Sequence, residues 1–356
     1  MGRPRARLAA ARRARARRLP PPPQDARQRA PAGRGGDPRA GRGGARAARP
    51  RRSDPRRGDR ARGLAAAARR PRGAGGGVSP DGGIVRACAK VNLVLRVGAP
   101  RPDGYHELVT LIGRIDLADV LLVGPAARTH VDCPGLPGGD TLVTRALTGL
   151  CAAAGHAGGF HVHIDKRIPH GAGLGGGSAD AAAALLAANA LLPAPLPDAE
   201  LARIGAGVGS DVPALLHDAA TIARGRGDRV EVLGALPRAH LVLAHPGRPL
   251  ATRDVYRRHV PDDRPLPAAI ALPTTLDELV ALLENDLQAP AEALAPACRA
   301  LREGMMGAGA LAAIVSGSGS AVFGVFATRQ EAERAAGMLP DAAWTTTATL
   351  GAASGG

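Results

Sequence analysis

A glycine-rich run between residues 169 and 178 holds the residues whose types and spacing most clearly indicate chemistry. It reads Pro169-His-Gly-Ala-Gly-Leu-Gly-Gly-Gly-Ser178 and lies between a strand-like pattern and an alanine-rich helical pattern. Because glycine has no Cβ, the backbone N–H groups of such a loop can approach an anion closely, and the helix that follows adds partial positive charge. The run therefore predicts a phosphate-binding loop, in which Ser178 either caps the helix or contacts a phosphate or its metal.

The glycine spacing alone leaves several classes of site open, among them a plain flexible linker. Gly171, Gly173 and Gly176 satisfy the Gly-x-Gly-x-x-Gly spacing of a dinucleotide site. That site needs an acidic residue about 20 positions on at the end of a strand, whereas Asp198 follows a proline-rich stretch and opens a helix. A Walker P-loop is also excluded, because no Gly-Lys-Ser/Thr follows the glycines. The loop by itself therefore establishes an anion site next to a helix start and excludes these two cofactor-binding classes.

An aspartate and a lysine elsewhere in the chain have the chemistry that phosphoryl transfer needs. Asp211 lies in a turn, Gly209–Pro213, just before an apolar helical run. It is either a helix cap or the group that accepts the proton of a substrate hydroxyl. Lys90 lies in an apolar strand pattern, where it either points to solvent or stabilises negative charge beside that hydroxyl. Asn92 lies two residues further on and shares a strand face with Lys90.

The chain has only two lysines, Lys90 and Lys166, beside 45 arginines. Where composition favours arginine so strongly, a retained lysine suggests a site that needs a compact ammonium group rather than a planar guanidinium. Both lysines are therefore candidate site residues.

The formal net charge of +16 comes from the first quarter of the chain. Residues 1–83 contain 24 arginines and five acids, a net of +19, so residues 84–356 carry a net of −3. The basic segment is of low complexity and predicts disorder. It is a nucleic-acid-binding tail, a transit peptide or, the reading we favour, upstream sequence translated from a start codon set too early. Because it has no interleaved aromatic residues, we expect no nucleic-acid partner.

The four cysteines are far apart and form no metal-type cluster with histidines. They are typical of small core residues in a reducing compartment. No apolar run approaches the roughly 20 residues that span a bilayer. We therefore expect a soluble cytoplasmic protein with no membrane partner and no protein-bound metal site.

The strands and helices that must position these residues alternate, but without the regular strand–helix–strand repeat of a parallel sheet. This pattern predicts an α+β fold. A strand leads into the glycine loop and a helix leaves it. Predicted strands lie at 84–97, 109–123 (one or two), 160–165, 221–232, 240–244 and 313–327 (two), and predicted helices at 141–154, 179–192, 198–205, 276–287 and 291–306.

Several of these segments closely resemble the GHMP kinase superfamily over about residues 85–350. The superfamily motifs correspond to Ala89–Leu93, Pro169–Asp180 and Ser316–Ser320. Other segments resemble one branch of the superfamily, which phosphorylates a cytidine-diphosphate-linked alcohol. They are Arg101-Pro-Asp-Gly-Tyr-His-Glu107, Gly209–Pro213, Ala244-His-Pro-Gly247 and Glu284-Asn-Asp-Leu287.

The resemblance implies a two-domain GHMP kinase fold. An N-terminal domain with a mixed sheet and helices would cover residues 84–235, and a C-terminal ferredoxin-like α/β sandwich 236–350, with disordered ends at 1–83 and 351–356. It implies transfer of the γ-phosphoryl group of ATP, with Mg²⁺ bound mainly through the ATP phosphates. The expected acceptor is the 2-hydroxyl of 4-diphosphocytidyl-2-C-methyl-D-erythritol, in non-mevalonate isoprenoid biosynthesis. A homoserine, mevalonate or galactose kinase is the alternative, and the chain would be a monomer or weak homodimer.

The resemblance also implies roles for individual residues. Asp211 would be the catalytic base, with Lys90 orienting and activating beside it. Substrate contacts would come from Asn92, Tyr105, His106 (toward the cytosine) and Tyr256, which stands where the family places an aromatic against the cytosine ring. Gly317 and Gly319 would shape the floor of the site. Nucleotide contacts would come from Lys166, Pro169, Gly171, Gly173, Leu174, Gly175, Gly176, Gly177 and Ser178.

Three positions depart from the pattern of the family. Thr141 stands where many relatives carry an asparagine near the adenine. His170 occupies a loop position usually held by a smaller or apolar residue, and we interpret it as a surface histidine rather than a phosphate contact. Asp180 places a carboxylate near the triphosphate, which requires a metal or an outward rotamer.

Overall fold

The computed structural model describes residues 82–136, 140–339 and 342–351. The predictions made for the basic segment therefore fall, up to residue 81, outside the described residues, as does the predicted disordered end from residue 352. None of the helices in the described ranges is long and apolar enough to cross a membrane.

The strands of the described residues begin with two long ones, β1 and β2, joined by a turn at 101–105. The predicted strand at 109–123 is one continuous element. The strands are β1 (Gly83–Pro100), β2 (His106–Ala126), β3 (His130–Asp132), β4 (Gly159–Asp165), β5 (Ala220–Gly225), β6 (Arg229–Gly234), β7 (Ala239–His245), β8 (Glu284–Asn285), β9 (Ala312–Val315), β10 (Val322–Phe326) and β11 (Trp344–Leu350).

The helices of the described residues lie between these strands. The predicted helices at 141–154 and 198–205 are confirmed, the second running three residues further. The helices are α1 (Thr141–Ala154), α2 (Gly176–Ala190), α3 (Asp198–Val208), α4 (Val212–Leu215), α5 (Thr252–Arg258), α6 (Leu276–Leu282), α7 (Gln288–Leu294), α8 (Pro296–Gly307) and α9 (Arg329–Ala336).

The described strands form one mixed, mostly antiparallel sheet. Its main path runs β3-β4-β2-β11-β7-β10-β9. The strand β1 pairs antiparallel with β2 and parallel with β8, while β5 joins β2 to β6. Helices pack on this sheet without regular parallel crossovers, so the α+β prediction is confirmed. The domain boundary at residue 235 stays a prediction.

Three hydrophobic clusters of the described residues hold the segments that carry the candidate site, and one of them joins Leu174 of the glycine loop to Ala89 of β1. In another, Leu147 of α1 and Leu185 of α2 lie with Val162 of β4. Nine of the fifteen residues of α2 are buried and most are alanine, so the helix packs closely and its starting point is fixed. In the third cluster, Met305 of α8 lies with Phe326 of β10, which supports the turn between β9 and β10.

The predicted helix at 276–287 is wrong in its second half. It ends at Leu282, and Glu284 and Asn285 form a short strand beside Val94 and Leu95 of β1. Periodicity within the segment could not show this, because the pairing partner lies far away in sequence. The predicted helix at 291–306 is likewise two helices, α7 and α8. They meet at Pro296, which disfavours helical geometry in the residue before it.

Candidate active site

The glycine loop adopts a conformation that only glycine accommodates at three positions. Gly171, Gly173 and Gly175 have φ of +69°, +83° and +71°. A Cβ on Gly173 would lie 2.5 Å from the carbonyl oxygen of Ser316. Gly175 is also the N-cap of α2, so the expectation that Ser178 could cap this helix is wrong. The left-handed residue starts the helix three positions earlier and places Ser178 in its first turn.

A second loop, Ser316–Ser320, packs directly against the glycine loop. The Ser316 hydroxyl donates to the carbonyl of Gly173 at 3.1 Å, and the amide N–H of Ala321 donates to the carbonyl of Ala172 at 2.8 Å. The side-chain amide of Asn285 donates to the carbonyl of Gly317 at 2.8 Å. Asn285 therefore positions the second loop, a role that the sequence motif at 284–287 did not reveal.

His245 ties the same loop to the end of β7. Its Nδ1 accepts a hydrogen bond from the amide N–H of Gly247 at 3.0 Å, so its Nε2 carries the proton. That Nε2 donates to the Ser320 hydroxyl at 2.9 Å, and the hydroxyl donates to the carbonyl of Arg248 at 2.5 Å. Burial lowers the pKa of His245, in keeping with the neutral ring. The motif at 244–247 thus has a structural function.

Lys90 and Asp211 are brought together between these loops. The ammonium of Lys90 lies 3.2 Å from a carboxylate oxygen of Asp211 and donates to the side-chain oxygen of Asn92 at 2.6 Å. Asn92 in turn donates to the hydroxyl of Thr110 at 2.8 Å. The Lys90 side chain is 5% exposed, while that of Asp211 is 31% exposed. The lysine is therefore fixed, and the carboxylate remains accessible from the cavity.

The backbone joins this pair to the glycine loop. The amide N–H of Lys90 donates to the carbonyl of Leu174 at 3.0 Å. A Cβ added to Gly175 would lie 2.9 Å from Cγ of Lys90, so the loop lies directly on the lysine side chain. Leu174 itself is buried, and it holds the loop rather than facing the cavity.

Two aromatic side chains, His106 and Tyr256, lie together in another part of the same cavity and form what we call the aromatic group. The rings of His106 and Tyr256 have centroids 5.4 Å apart and an interplanar angle of 50°. The Nδ1 of His106 lies 2.9 Å from the carbonyl oxygen of Gly98 and must donate to it, so that in the neutral ring Nε2 is an acceptor. Burial and the nearby charge of Asp211 raise the pKa of Tyr256, so its hydroxyl stays protonated. Tyr105 is 56% exposed.

Lys166 lies at the foot of the glycine loop with two buried carboxylates. Its ammonium donates to Asp119 and to Asp180, at 2.6 Å in each case. Asp119 also accepts from the backbone N–H groups of Arg167 and Ile168, and so fixes the chain that enters the loop. Neither the charge of Asp119 nor its spacing from other residues identified it in the sequence as a residue that supports the site.

Asp180 turns toward Lys166 rather than toward the cavity. Its other carboxylate oxygen has no hydrogen-bond partner, and burial raises its pKa to about 8. The carboxylate is therefore directed away from the cavity, but into the interior beside Lys166 rather than outward. A direct metal contact from the buried, unpartnered oxygen would require a change of conformation.

The accessible groups of the site line one cavity of about 1070 Å³, large enough for a nucleotide and a second substrate. Thr141 and the exposed His170 also reach it. No group of three potential metal ligands occurs in the described ranges. The glycine cradle fits a triphosphate. Of the predicted site residues, those lining the cavity are Lys90, Asn92, Tyr105, His106, Lys166, Pro169, Gly171, Gly173, Gly175, Gly176, Gly177, Ser178, Asp211 and Tyr256.

Comparison with known proteins decides the family. Residues 141–219 match the GHMP kinases N terminal domain, and residues 268–344 match the GHMP kinases C terminal domain. A 4-diphosphocytidyl-2-C-methyl-D-erythritol kinase from Parvibaculum lavamentivorans is 41% identical over 268 residues, covering 71% of this chain and 92% of the relative. A protein of the same name from Geobacter sp. strain M21 is 38% identical over 256 residues, covering 70% of this chain and 91% of the relative. The chain belongs to the 4-diphosphocytidyl-2-C-methyl-D-erythritol kinase family.

Solved structures support this assignment. A crystal structure of 4-(cytidine 5'-diphospho)-2C-methyl-D-erythritol kinase is 39% identical, with a TM-score of 0.66, covering 75% of this chain and 99% of that one. A mevalonate kinase from L. major, 15% identical with a TM-score of 0.56, covers 79% of this chain and 100% of its own length, and shares the fold alone. The chain is therefore a small-molecule kinase of the GHMP fold, a family with ATP as phosphate donor.

Proposed function

We propose that this kinase transfers the γ-phosphoryl group of ATP to the 2-hydroxyl of 4-diphosphocytidyl-2-C-methyl-D-erythritol, with Mg²⁺, in non-mevalonate isoprenoid biosynthesis. The observation that carries the proposal is the contact between Lys90 and Asp211. The glycine loop packs against the Lys90 side chain of this pair. The pair also lines the same cavity as the aromatic group of His106 and Tyr256. One cavity thus offers a triphosphate cradle, a base and a surface for a planar ring.

In the proposed reaction, the oxygen of the substrate hydroxyl attacks the γ-phosphorus and ADP leaves. Asp211 accepts the proton of that hydroxyl. Lys90 lies next to the carboxylate, where its charge orients the hydroxyl and offsets the negative charge that develops on the transferred group. Asn92 holds the ammonium in place through its 2.6 Å hydrogen bond. The backbone N–H groups at the start of α2 bind phosphate oxygens.

Mg²⁺ bound to ATP neutralises phosphate charge during transfer. The hydroxyl of Ser178, in the first turn of α2, is the side chain of the glycine loop that can contact the metal or a phosphate. Lys166 stands behind Gly176, with its ammonium 3.4 Å from where a Cβ would be, and supports the loop from below.

Recognition of the cytosine falls to the aromatic group. The free Nε2 of His106 is an acceptor, and the amino group of cytosine is a donor. Stacking of a base on an aromatic side chain contributes about 1–3 kcal/mol. Tyr256 and Tyr105 are the tyrosines that offer such a surface in the cavity.

ADP release measured with a panel of acceptors tests the proposal. The panel contains the cytidylyl substrate, homoserine and mevalonate at equal concentration. We expect turnover of the cytidylyl substrate alone. Turnover of homoserine or mevalonate without the cytidylyl substrate would overturn the assignment.

We further propose that the chain is a monomer or weak homodimer, folded as domains at 84–235 and 236–350. Each domain would supply one loop of the site: the glycine loop from the first and Ser316–Ser320 from the second. Sedimentation equilibrium over a range of concentrations tests the oligomeric state, and a tight dimer at micromolar concentration would contradict it.

A further inference from the structure

A further cation lies at the cavity, on the tight turn between β5 and β6. Arg226 stands between Gly225 and Gly227, which have φ of +72° and +99°. The turn is closed by a hydrogen bond from the amide N–H of Gly227 to the carbonyl of Arg224 at 3.0 Å. A Cβ on Gly227 would lie 3.3 Å from Cβ of Ser210, so the turn packs against the residue before Asp211.

The guanidinium of Arg226 covers one face of Tyr105. Its Cζ lies 4.9 Å from the ring centroid, within the range of a cation–π contact. Its carboxylate partner, Asp228, lies 3.8 Å away, too far for a good hydrogen bond, and the Arg226 side chain is 40% exposed. The charge is thus held in place by the tyrosine but only partly neutralised.

These contacts place the turn that carries Arg226 beside both ends of the proposed substrate, with Arg226 at Tyr105 and Gly227 at Ser210. Tyr105 belongs to the end that would hold the cytosine, and Ser210 adjoins the base at the end that would hold the reacting hydroxyl. In a cytidine-diphosphate-linked alcohol, the diphosphate connects these two parts. We propose that Arg226 binds the diphosphate of the cytidylyl substrate, an inference that rests on the proposed function.

Other cations at the cavity fit this role less well. Arg253 and Arg257 of α5 are 83% and 70% exposed, and each approaches Asp254. Arg145 donates to the carbonyl of Gly207 at 2.5 Å. Lys90 is committed to Asp211 and Asn92. Arg226 combines a restrained position with charge that is still available, and its planar donors suit paired phosphate oxygens.

Direct binding of cytidine, CMP and CDP to the full chain by calorimetry tests the inference. Arg226→Gln keeps a planar group against Tyr105 but removes the charge, and Arg226→Lys keeps the charge without the fork. For the glutamine variant we expect CDP to bind about tenfold more weakly, as for loss of a charge-assisted hydrogen bond at a partly exposed site. Cytidine should change less than twofold, and the lysine variant should recover part of the CDP affinity.

The kinetic counterpart is a KM for the cytidylyl substrate raised about tenfold, with the KM for ATP within twofold. Arg329→Gln is the matched control, since Arg329 lies on α9 and pairs with Glu333 away from the cavity. Equal losses for cytidine and CDP, or no loss for either, would overturn the role of Arg226 while leaving the proposed function intact. A wild-type enzyme that does not phosphorylate the cytidylyl substrate would instead refute the proposed function.

Discussion

Replacement of Asp211 by asparagine tests the proposed chemistry most directly. The amide has nearly the same shape as the carboxylate but cannot take a proton from the substrate hydroxyl. General base catalysis contributes about 10²- to 10⁴-fold, so kcat should fall by that factor, a barrier increase of about 3–5 kcal/mol. The KM for ATP should stay within threefold, because the glycine loop is held by contacts that do not involve Asp211.

Asp211→Asn also removes the ion pair that helps to hold Lys90 in place. At 3.2 Å, the two charges attract by about 5 kcal/mol at an effective dielectric constant of 20. This is an upper limit for the loss of stability, because Asp211 is 31% exposed and Lys90 keeps Asn92 at 2.6 Å. We therefore expect a folded variant with a Tm lowered by several degrees, and kcat must be measured well below that Tm.

The matched control is Asp218→Asn, seven residues further along the chain. Asp218 is 69% exposed, pairs with Arg114 at 2.8 Å and does not line the cavity. Its kcat should equal that of the wild type. A kcat for Asp211→Asn within threefold of the wild type would refute the assignment of Asp211 as the base.

Three further predictions follow from the glycine loop, the aromatic group and the buried carboxylates. Gly175→Ala should raise the KM for ATP and lower kcat, since its Cβ would lie 2.9 Å from Cγ of Lys90. The control Gly307→Ala meets open space and should leave both unchanged in steady-state kinetics. Tyr256→Leu should raise the KM for the cytidylyl substrate about 5- to 150-fold, whereas Tyr256→Phe should not. The carboxyl pKa of Asp180 is raised to about 8 in the folded protein, so the stability that this carboxyl contributes should be lost as the pH rises from about 4 to 8. In urea unfolding, the stability of the wild type relative to Asp180→Asn should fall over this pH range, and a constant difference would contradict the raised pKa.

Local sequence was sufficient for several elements and for the loop. The glycines of 171–177 predicted a phosphate loop between a strand and a helix, and the structure has β4 before it and α2 after it. Their positive φ angles follow from residue type, since other residues rarely adopt them. The helix predicted at 276–287 was wrong in its second half because residues there pair with a strand that is remote in the chain, which local sequence does not show.

The support of the site also escaped prediction. Asp119 is fully buried and holds the chain that enters the glycine loop, yet nothing near it in the sequence marks it. Asn285 belongs to a recognisable motif, but its hydrogen bond to Gly317 appears only when two distant segments meet. Contacts of this kind depend on how the helices and strands pack, which local spacing does not encode.

The sequence by itself determined the type of chemistry, because glycine conformation and the identity of ionisable residues are local properties. It supplied the phosphate loop, the two lysines and an aspartate in a turn, together with motifs that matched the right family. Only the tertiary structure decided that Lys90 and Asp211 touch, that Lys166 is shared by two buried carboxylates, and that Arg226 faces Tyr105. The physical reason is that burial and distance between remote segments are set by the packing of the whole sheet and its helices.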